Sequence, residues 1–469
     1  MSALGASVCR LLQSAARVSI LLENRCAPHE NGNTVLWWLL AVLILGGSVL
    51  YAPLSMAAPP SEAGDGERKG IVTPDPIGND FQALITHWYT KWPTVPFSTI
   101  RMWDTGTFWS ELNPGPGQYD WTVMDGWLSA AQMNHTTITF TLGMTPQWAS
   151  SDPTNATCHI GPGACAPPDD LNPDGTGPDQ HWKEFVAAIA QHAGTQISAW
   201  EVWNEPNNLV FWTGTYAQLV RMAKDARSVI LSINPKAKML NAGTSSLNFY
   251  GLVWWKGYAA AGGLQSADVI AVHGDVSPFP AQCGVYPEPE TFLTVMSNLR
   301  KVLVQYGANN KAVWDTESSW GATNLNCFTD QDLQAAFLAR FYLLHRSTGV
   351  RRFYWRAWID GHGGLYTTHQ GLNKAGVAYG YLHDWLMGNA LTNACSTKGT
   401  IWTCNFKGPK GYVAAAIWDT GETCNNGDCG TKLYPVAGRY VDYRTLDGGT
   451  HQINNNTVPI GAKPIWVEN

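Results

Sequence analysis

Short apolar runs rich in β-branched and aromatic residues alternate with longer segments of helical period between residues 95 and 390. Seven of these runs predict strands, at 98–103, 136–142, 197–203, 238–242, 268–273, 312–317 and 352–358. Apolar stripes at helical spacing occur between them, at 216–230, 292–303 and 333–344. This alternation predicts βα units and a parallel sheet. We place one further strand, the first of eight, near residues 71–77.

The predicted fold class is α/β, a (β/α)8 TIM barrel over residues 71–389 with a C-terminal β-sandwich domain over 390–469. A doubly wound sheet is the alternative for the first part, but the glycine fingerprint that binds phosphates in that fold is missing. After residue 389 the helical period stops, and strand-like runs follow at 400–405, 411–418, 439–444 and 460–467. The sandwich is either a structural appendage or a sugar-binding module.

The N-terminal region carries an export or membrane signal. No charged residue lies between Glu30 and Glu62, and residues 35–50 form a continuous apolar run. Such a run is shorter than the about 20 residues of a comfortable membrane span, and the small residues at 55–58 resemble a cleavage site. We therefore predict a tail (1–33), a signal peptide or membrane anchor (34–58) that engages the membrane or the export machinery, and a linker (59–70). The rest of the chain is expected to be secreted, or anchored by a single span and held outside.

The cysteine count agrees with that location. Eight cysteines follow the linker, an even number that in an exported chain indicates disulfides. Short spacings favour the pairs Cys158/Cys165, Cys395/Cys404 and Cys424/Cys429, which leaves Cys283 with Cys327. Zinc is the alternative, but no Cys-x-x-Cys or His-x3-His spacing accompanies the cysteines, so we expect no metal.

Composition narrows the class of partner. Charged residues make up 14% of the chain and the net charge is −6, so there is no basic footprint for nucleic acid. Tryptophan is abundant, with 23 copies. Most of these will be core residues, but indole faces also stack on the apolar faces of sugar rings. The excess therefore suits a carbohydrate-binding cleft.

Two glutamates stand at the ends of predicted strands. Asn204 and Glu205 follow the strand at 197–203, and Glu317 ends the strand at 312–317, 112 residues after Glu205. Each alone has a plain interpretation, because Asn-Glu-Pro suits a turn and glutamate is usually a solvated surface residue. In a (β/α)8 barrel, however, the carboxyl ends of the strands converge on the active site. The pair therefore predicts the two carboxyl groups of a retaining glycosidase.

Other polar and aromatic residues fall at or just beyond strand ends. Arg101 is expected to help keep Glu317 ionised, or else to be a structural arginine of the barrel. His273 is expected to orient the substrate or Glu317. Candidate sugar platforms, each with core packing as its alternative, are Trp148, Trp320 and Trp358.

Two more carboxylates lie beside the pair in sequence. Glu201 precedes Glu205 by four residues and should lie deeper in the barrel, where we expect it to be the buried partner of a barrel cation. Asp315 precedes Glu317 by two residues, so strand alternation places both on one side of the strand. We expect Asp315 to be structural.

Five motifs carry a resemblance to a known group of enzymes. They are residues 101–104 (RMWD), 117–125 (GQYDWTVMD), 145–149 (TPQWA), 203–207 (WNEPN) and 316–321 (TESSWG). On these motifs the chain resembles the clan A glycoside hydrolases, most of all the family 39 group of β-xylosidases, α-L-iduronidases and bacterial exopolysaccharide glycosidases. The resemblance implies Glu205 as general acid/base, Glu317 as nucleophile and Asn204 as a donor to the sugar 2-hydroxyl.

The expected function is therefore an O-glycosyl hydrolase, without a cofactor, that acts on a β-linked oligo- or polysaccharide. The alternative is a catalytically silent carbohydrate-binding protein on the same barrel.

Overall fold

The computed structural model describes residues 92–245, 247, 250–276, 286–320, 329–359, 363–367, 369–425 and 427–469, with the backbone alone at Gly78–Gln82 and Phe249. All of them belong to the compact unit Val72–Asn469. The segments predicted at 1–33, 34–58 and 59–70 lie outside the described residues. Within the part of the chain that is described, no helix has both the length and the apolar character needed to cross a bilayer.

Eight parallel strands close into a barrel, in which each strand pairs with the next and the last pairs with the first. The strands are β1 (Gly78–Gln82), β2 (Thr99–Met102), β3 (Thr137–Leu142), β4 (Ile197–Val202), β5 (Lys238–Leu240), β6 (Val269–Val272), β7 (Ala312–Ser318) and β8 (Val350–Arg356). The α-helices are α1 (Trp109–Leu112), α2 (Thr122–Met133), α3 (Gln180–Ala193), α4 (Tyr216–Ile233), α5 (Phe249–Ala260), α6 (Phe292–Gln305), α7 (Gln331–Ser347) and α8 (Lys374–Leu386). The predicted (β/α)8 TIM barrel is confirmed.

Seven of the predicted strands match the observed ones within two residues at each end. The first strand differs. It was expected at 71–77, which lies outside the described residues, whereas β1 occupies Gly78–Gln82. The sequence of β1 contains Gly, Asn and Asp, which are depleted in strands. Pairing with both β2 and β8 makes it a strand in spite of this local preference.

Side chains alternate between the barrel interior and the surrounding helices. One interior layer is apolar and contains Ala199, Leu240, Val269, Ala271, Trp314 and Tyr354. Two residues further along β4, towards the carboxyl ends of the strands, Glu201 faces the interior and meets Arg101 of β2, and neither side chain is exposed. The barrel therefore changes from apolar to charged as it approaches the end where the predicted site lies.

The chain after β8 forms mainly short antiparallel strands around α8. They are β9 (Tyr366–Thr367), β10 (Gly371–Leu372), β11 (Ala390–Leu391), β12 (Ser396–Lys398), β13 (Ile401–Lys407), β14 (Val413–Asp419), β15 (Cys424–Asn425), β16 (Asp428–Cys429), β17 (Thr431–Pro435), β18 (Asp442–Arg444), β19 (Thr450–Gln452), β20 (Thr457–Gly461) and β21 (Ile465–Glu468). The main sheet has the order β11-β13-β14-β21-β18-β19, with β12 on β13. Its inner face packs Ile417 and Val467 against Val458 and Ile460 of the β17–β20 sheet. The predicted β-sandwich is confirmed.

One strand predicted in the sandwich is divided in two. The run at 460–467 was expected to be a single strand, but β20 ends at Gly461 and β21 begins at Ile465. Pro464 lies in the interval, where it has no backbone N–H to continue a ladder.

The sandwich packs on the helices of the barrel. Trp466 of β21 stacks on Trp385 of α8 with ring centroids 5.8 Å apart. Trp418 donates from Nε1 to Glu290 Oε1 at 2.9 Å, and Lys463 forms an ion pair with Asp332 of α7. The outer face of the main sheet thus shares a core with the barrel helices.

Three of the four expected disulfides are present. They are Cys158–Cys165, Cys395–Cys404 and Cys424–Cys429. The fourth expected pair, Cys283 with Cys327, lies outside the described residues. Disulfides of this kind are typical of proteins that fold outside the reducing cytoplasm.

Candidate active site

Five of the predicted site residues meet at the carboxyl end of the barrel. Arg101 lies in β2, Asn204 and Glu205 follow β4, His273 follows β6, and Glu317 lies in β7. Arg101 contacts Asn204 and Glu317, while His273 contacts Glu205. Residues from four strands, far apart in sequence, therefore form one polar cluster.

Arg101 is the centre of this cluster. Its guanidinium donates from Nε to Glu201 at 2.7 Å, from Nη1 to Glu317 at 2.8 Å, and from Nη2 to Asn204 at 2.8 Å. Burial alone would lower its pKa, but the charges of Glu201 and Glu317 raise it above the ordinary value. Arg101 is thus at once a buried barrel arginine and a direct contact of the predicted nucleophile.

Glu201 is fully buried below the site. Its Oε2 accepts from Arg101 and from Thr141 Oγ1 at 2.8 Å, and its Oε1 accepts from Thr316 Oγ1 at 2.7 Å. These bonds satisfy a carboxylate that would otherwise be costly to bury. The prediction that Glu201 is the partner of a barrel cation is confirmed.

Glu317 is held by two arginines. Its Oε2 accepts from Arg101, and its Oε1 lies 3.2 Å from Nε of Arg356 in β8. Burial would raise the pKa of Glu317, but the positive charges of His273, Arg356 and Arg101 outweigh burial and lower it. The carboxyl group is therefore ionised at neutral pH, the state that a nucleophile needs.

The expectation that Asp315 shares Glu317's side of β7 is wrong. Asp315 faces outwards, where its Oδ2 lies 2.7 Å from His345 Nε2 on α7, while Thr316 faces inwards to Glu201. The pairing of β7 with β8 shifts register between Asp315 and Ser318. This irregularity breaks the strict alternation and lets Glu317 reach the interior. Asp315 also accepts from Gly274 N at 3.2 Å, which agrees with the structural role expected for it.

The backbone around Glu205 is unusual. Trp203 has φ of +74° and Glu205 has φ of +43°, a region that residues with a side chain rarely adopt. Glu205 N donates to Gly243 O at 2.7 Å, and the buried Trp203 ring donates from Nε1 to Phe211 O at 2.7 Å. Surrounding packing of this kind is what keeps a strained backbone in place at a functional site.

His273 supports Glu205 from β6. Its Nδ1 lies 2.8 Å from Glu205 Oε1, and the ring is fully buried. Burial would lower its pKa, but the bond to Glu205 and the charge of Glu317 raise it. The His273 ring also explains why position 243 is a glycine, because a Cβ at Gly243 would lie only 2.6 Å from His273 Nε2.

The two predicted catalytic carboxyl groups are close together. One oxygen of Glu205, one oxygen of Glu317 and a ring nitrogen of His273 lie within 4.8 Å of one another. Carboxyl groups about 5–5.5 Å apart suit a double displacement, whereas inverting enzymes hold them about 6.5–9.5 Å apart to admit a water. The arrangement can therefore attack a sugar carbon from one side and exchange a proton on the other.

Two groups among the described residues bring possible metal ligands within 4.8 Å. They are Glu205 with His273 and Glu317, and Asp169 with Asp170 and His181. In the first group, His273 Nδ1 is already bonded to Glu205. In the second group, Asp170 Oδ2 accepts the backbone N–H of Gln180 at 2.5 Å and so caps α3. Both groups thus have roles that need no ion.

Three polar residues of this region were not assigned from the sequence. Arg356 ends β8, Asp104 follows β2 by two residues, and Asp275 follows His273 by two residues. Burial and then Glu317 raise the pKa of Asp104 to about 6, and burial and then Asp315 raise that of Asp275 to about 7. Their position just at or beyond a strand end is the signal that could have found them.

The three tryptophans predicted as sugar platforms lie in different surroundings. Trp320 stacks on Tyr286 at 5.6 Å and Trp358 stacks on Tyr366 at 5.0 Å, and each is 1% exposed. Trp148 is half-buried, donates to Asn113 O at 2.9 Å and meets the edge of a histidine ring. The two stacked rings follow β7 and β8, whereas Trp148 contacts Asn113, which follows α1, and His181 of α3. Sugar contact by these rings stays a prediction.

Comparison with solved structures gives relatives of the same fold. A family 39 glycoside hydrolase from the gut symbiont Bacteroides cellulosilyticus WH2 matches with a TM-score of 0.57 and 18% identity, over 79% of this chain and 75% of that chain. A family 39 enzyme from Xanthomonas axonopodis pv. citri matches with a TM-score of 0.56 and 16% identity, over 79% and 87%. A family 39 β-xylosidase from Caulobacter crescentus matches with a TM-score of 0.53 and 16% identity, over 79% and 88%.

Sequence comparison adds no relative. No protein-family model matches the chain, and no curated protein matches it. At identities this low, the structural matches show a shared fold. The barrel expected from the resemblance to clan A glycoside hydrolases is therefore the fold of this chain.

Proposed function

We propose that this chain is a retaining O-glycoside hydrolase that cleaves β-linked oligo- or polysaccharides, with Glu205 as acid/base and Glu317 as nucleophile. The observation that carries the proposal is a carboxyl pair within 4.8 Å in which two arginines contact one member and a histidine contacts the other. The shared fold with family 39 enzymes supports a carbohydrate substrate.

In the first step, Glu317 attacks the anomeric carbon of the bound sugar. The bond from that carbon to the glycosidic oxygen breaks, and the departing oxygen takes the proton of Glu205. The products of this step are a glycosyl ester on Glu317 and the freed leaving group. The positive charges of His273, Arg356 and Arg101 hold Glu317 ionised for the attack.

In the second step, the Glu205 carboxylate removes a proton from water. The water oxygen bonds to the anomeric carbon, and the ester bond to Glu317 breaks, which restores both glutamates. Two displacements at one carbon leave its configuration as it was in the substrate. His273, bonded to Glu205 at 2.8 Å, keeps the carboxyl group in place through both proton transfers.

We infer that Asn204 binds the sugar through its side-chain amide. Its Oδ1 accepts from Arg101 at 2.8 Å, which leaves the amide N–H groups as the donors that a ligand can meet. A hydrogen bond to the 2-hydroxyl strengthens as the transition state develops. Arg101 therefore orients both the nucleophile and this amide.

We place the activity outside the cytoplasm. Three disulfides in the described residues suit an oxidising compartment. A polysaccharide too large to enter a cell would be reached there, and the apolar segment at 34–58 would provide export or anchoring.

Hydrolysis of a panel of 4-nitrophenyl β-D-glycosides tests the activity. We expect the wild-type chain to release nitrophenolate and Glu317→Ala to be inactive. Glu184→Gln, on the exposed side of α3, is the matched control and should keep full activity. Equal rates for the wild type and Glu317→Ala would overturn the assignment and favour a silent carbohydrate-binding protein.

The configuration of the first product tests the mechanism. Proton NMR during early turnover should show the sugar released with the anomeric configuration of the substrate, before mutarotation. An inverted first product would overturn the double displacement while leaving hydrolysis itself established.

A further inference from the structure

Asp104 is a carboxylate beside the predicted nucleophile. It follows β2 by two residues, and its side chain is 22% exposed. Its backbone has φ of +57°, which aspartate adopts more readily than most residues. The preceding Trp103 is buried against Phe108 and Phe211, with ring centroids 4.6 and 6.2 Å away. This packing holds the residue before Asp104 in place.

Asp104 follows the strand that carries Arg101, and Arg101 contacts Glu317 at 2.8 Å. Burial and the charge of Glu317 raise its pKa to about 6, while Arg356 and His159 lower it. Within the described part of the chain its carboxylate accepts no hydrogen bond, and its nearest charged partner is His159 Nε2 at 3.9 Å. A carboxylate can accept about four hydrogen bonds. Asp104 therefore has acceptor positions for a ligand.

His159 reaches this place on a loop closed by a disulfide. Cys158 and Cys165 flank the loop, and both sulfurs pack in the same small apolar cluster as Trp103. His159 N donates to Val210 O at 2.9 Å, and its ring lies 4.9 Å from that of Phe211. The disulfide loop is thus attached to the segment that follows Glu205. The histidine ring is 44% exposed, so it can meet a ligand.

We propose that Asp104 and His159 together bind hydroxyl groups of the glycone, the sugar that is transferred to Glu317, and that the Cys158–Cys165 disulfide holds His159 in place for this contact. The inference rests on the proposed function. A sugar with adjacent hydroxyl groups can donate one hydrogen bond to the carboxylate and share another with the imidazole. The ligand class is a neutral sugar with free hydroxyl groups away from the anomeric carbon.

The glycone is the part of the substrate that this pair can reach. The nucleophile bonds to the glycone, and Asp104 lies two residues beyond β2, whose Arg101 contacts that nucleophile at 2.8 Å. The leaving group lies on the side of Glu205. A site built to bond a hydroxyl rejects an analogue that lacks it, because its own polar groups are then left unpaired. Asp104 would therefore determine which sugar is accepted as the glycone, and it would not discriminate between leaving groups.

Monodeoxy substrates test this inference. The 4-nitrophenyl β-D-glycoside that the wild type cleaves fastest is compared with its 3-, 4- and 6-deoxy analogues, for the wild type and Asp104→Asn. We expect Asp104→Asn to lower kcat/KM about 10- to 100-fold on the parent glycoside, the usual worth of a hydrogen bond to a charged group. On the one analogue that lacks the recognised hydroxyl, both chains should be nearly equal.

The matched control is Asp169→Asn. Asp169 forms another histidine pair, 3.4 Å from His181, on the same long loop, and is 52% exposed. It should behave as the wild type on every substrate. An equal loss for Asp104→Asn on the parent and on all analogues would overturn the inference while the wild-type rates keep the proposed function intact. A wild type that cleaves no glycoside would overturn both.

The disulfide is tested separately with Cys158→Ala/Cys165→Ala. We expect a higher KM on the parent glycoside with little change in kcat, and a smaller rise in KM on the analogue picked out by Asp104→Asn. Cys424→Ala/Cys429→Ala, which removes the disulfide of the sandwich hairpin, is the control and should leave both constants unchanged. An unchanged KM in the first variant would overturn the role of the loop.

Discussion

The two halves of the site use the same residue type in opposite surroundings. Glu317 lies within a strand, is contacted by two arginines, and has a lowered pKa. Glu205 lies beyond the end of its strand on a left-handed backbone, and its ion-pair partner among the described residues is His273, which follows β6. One half is a carboxylate fixed by cations, and the other is a carboxyl group beside a titratable ring.

This difference supports the two roles proposed above. A retaining glycosidase needs one carboxylate that stays ionised and one that gives and takes a proton. Two arginines, which stay positively charged, suit the carboxylate that must remain ionised. An imidazole, in contrast, can gain or lose a proton when the charge of its neighbour changes. Each of the following experiments removes one part of this asymmetry, beginning with the largest expected effect.

Glu205→Ala removes the proton donor but leaves the nucleophile and its arginines. We expect kcat to fall about 10²- to 10⁴-fold on a substrate with a poor leaving group, because general acid–base catalysis typically accelerates a reaction by that factor. On a 2,4-dinitrophenyl glycoside, whose leaving group needs no proton, formation of the glycosyl ester should stay fast. Burst kinetics measures it, and an equal fall with both leaving groups would contradict the acid role.

Arg101→Met should damage the fold as well as the site. The substitution leaves Glu201 buried without its cation, and breaking a buried pair in this way costs about 3–5 kcal/mol. Urea unfolding measures the loss. Arg227→Met, which removes an ion pair that is about a third exposed, should cost only about 0–1 kcal/mol. Similar losses for the two variants would mean that the buried network is not held by Arg101.

Arg356→Met should move the pH dependence of the reaction. Arg356 is one of the charges that lower the pKa of Glu317, so removing it raises that pKa. The nucleophile is then protonated at a higher pH, and the acidic limb of the kcat/KM profile shifts to higher pH. Arg356→Lys keeps the charge and should shift the limb less. An acidic limb that stays in place in Arg356→Met would separate Glu317 from this arginine.

The smallest effect is expected for a substitution of Asp179. This residue is a buried carboxyl group that lies outside the site, and it therefore contrasts with the two glutamates. Burial and the neighbouring carboxyl of Asp225 raise its pKa from 3.8 to about 8. Between these values the folded chain holds a proton that the unfolded chain has released, so the free energy of unfolding falls as pH rises through this window. Asp179→Asn should flatten that fall between about pH 4 and pH 8 in urea titrations. A slope identical to the wild type would contradict the raised pKa.

Much of the site could be predicted from local sequence, because the carboxyl ends of the strands of a barrel meet at one face. Glu205, Glu317, Asn204, Arg101 and His273 were all assigned by their position at a strand end, and the structure joins them. Asp104 and Arg356 also lie at or just beyond strand ends. The sequence around them, however, does not distinguish a residue that contacts a ligand from a charged residue that faces solvent. Their partners come from other strands, which local sequence does not reveal.

The two-residue alternation of side chains along a strand gave the least accurate predictions at the site itself. It placed Asp315 on the side of Glu317, yet Asp315 faces His345 and the shift of register in β7 turns Glu317 inwards. It also gave no reason for a strand at Gly78–Gln82, which exists because two neighbouring strands pair with it. Pairing partners decide both features, and they lie up to hundreds of residues away.

The sequence by itself determined the barrel, the sandwich, three local disulfides and the two glutamates, because each depends on periodicity, spacing or a strand end that a short window contains. Only the tertiary structure decided which glutamate two arginines contact, that Asp104 lies 3.9 Å from His159, and where β7 leaves its regular register. These features depend on distances between side chains from separate strands and loops. Burial and neighbouring charge then make two identical glutamates chemically different.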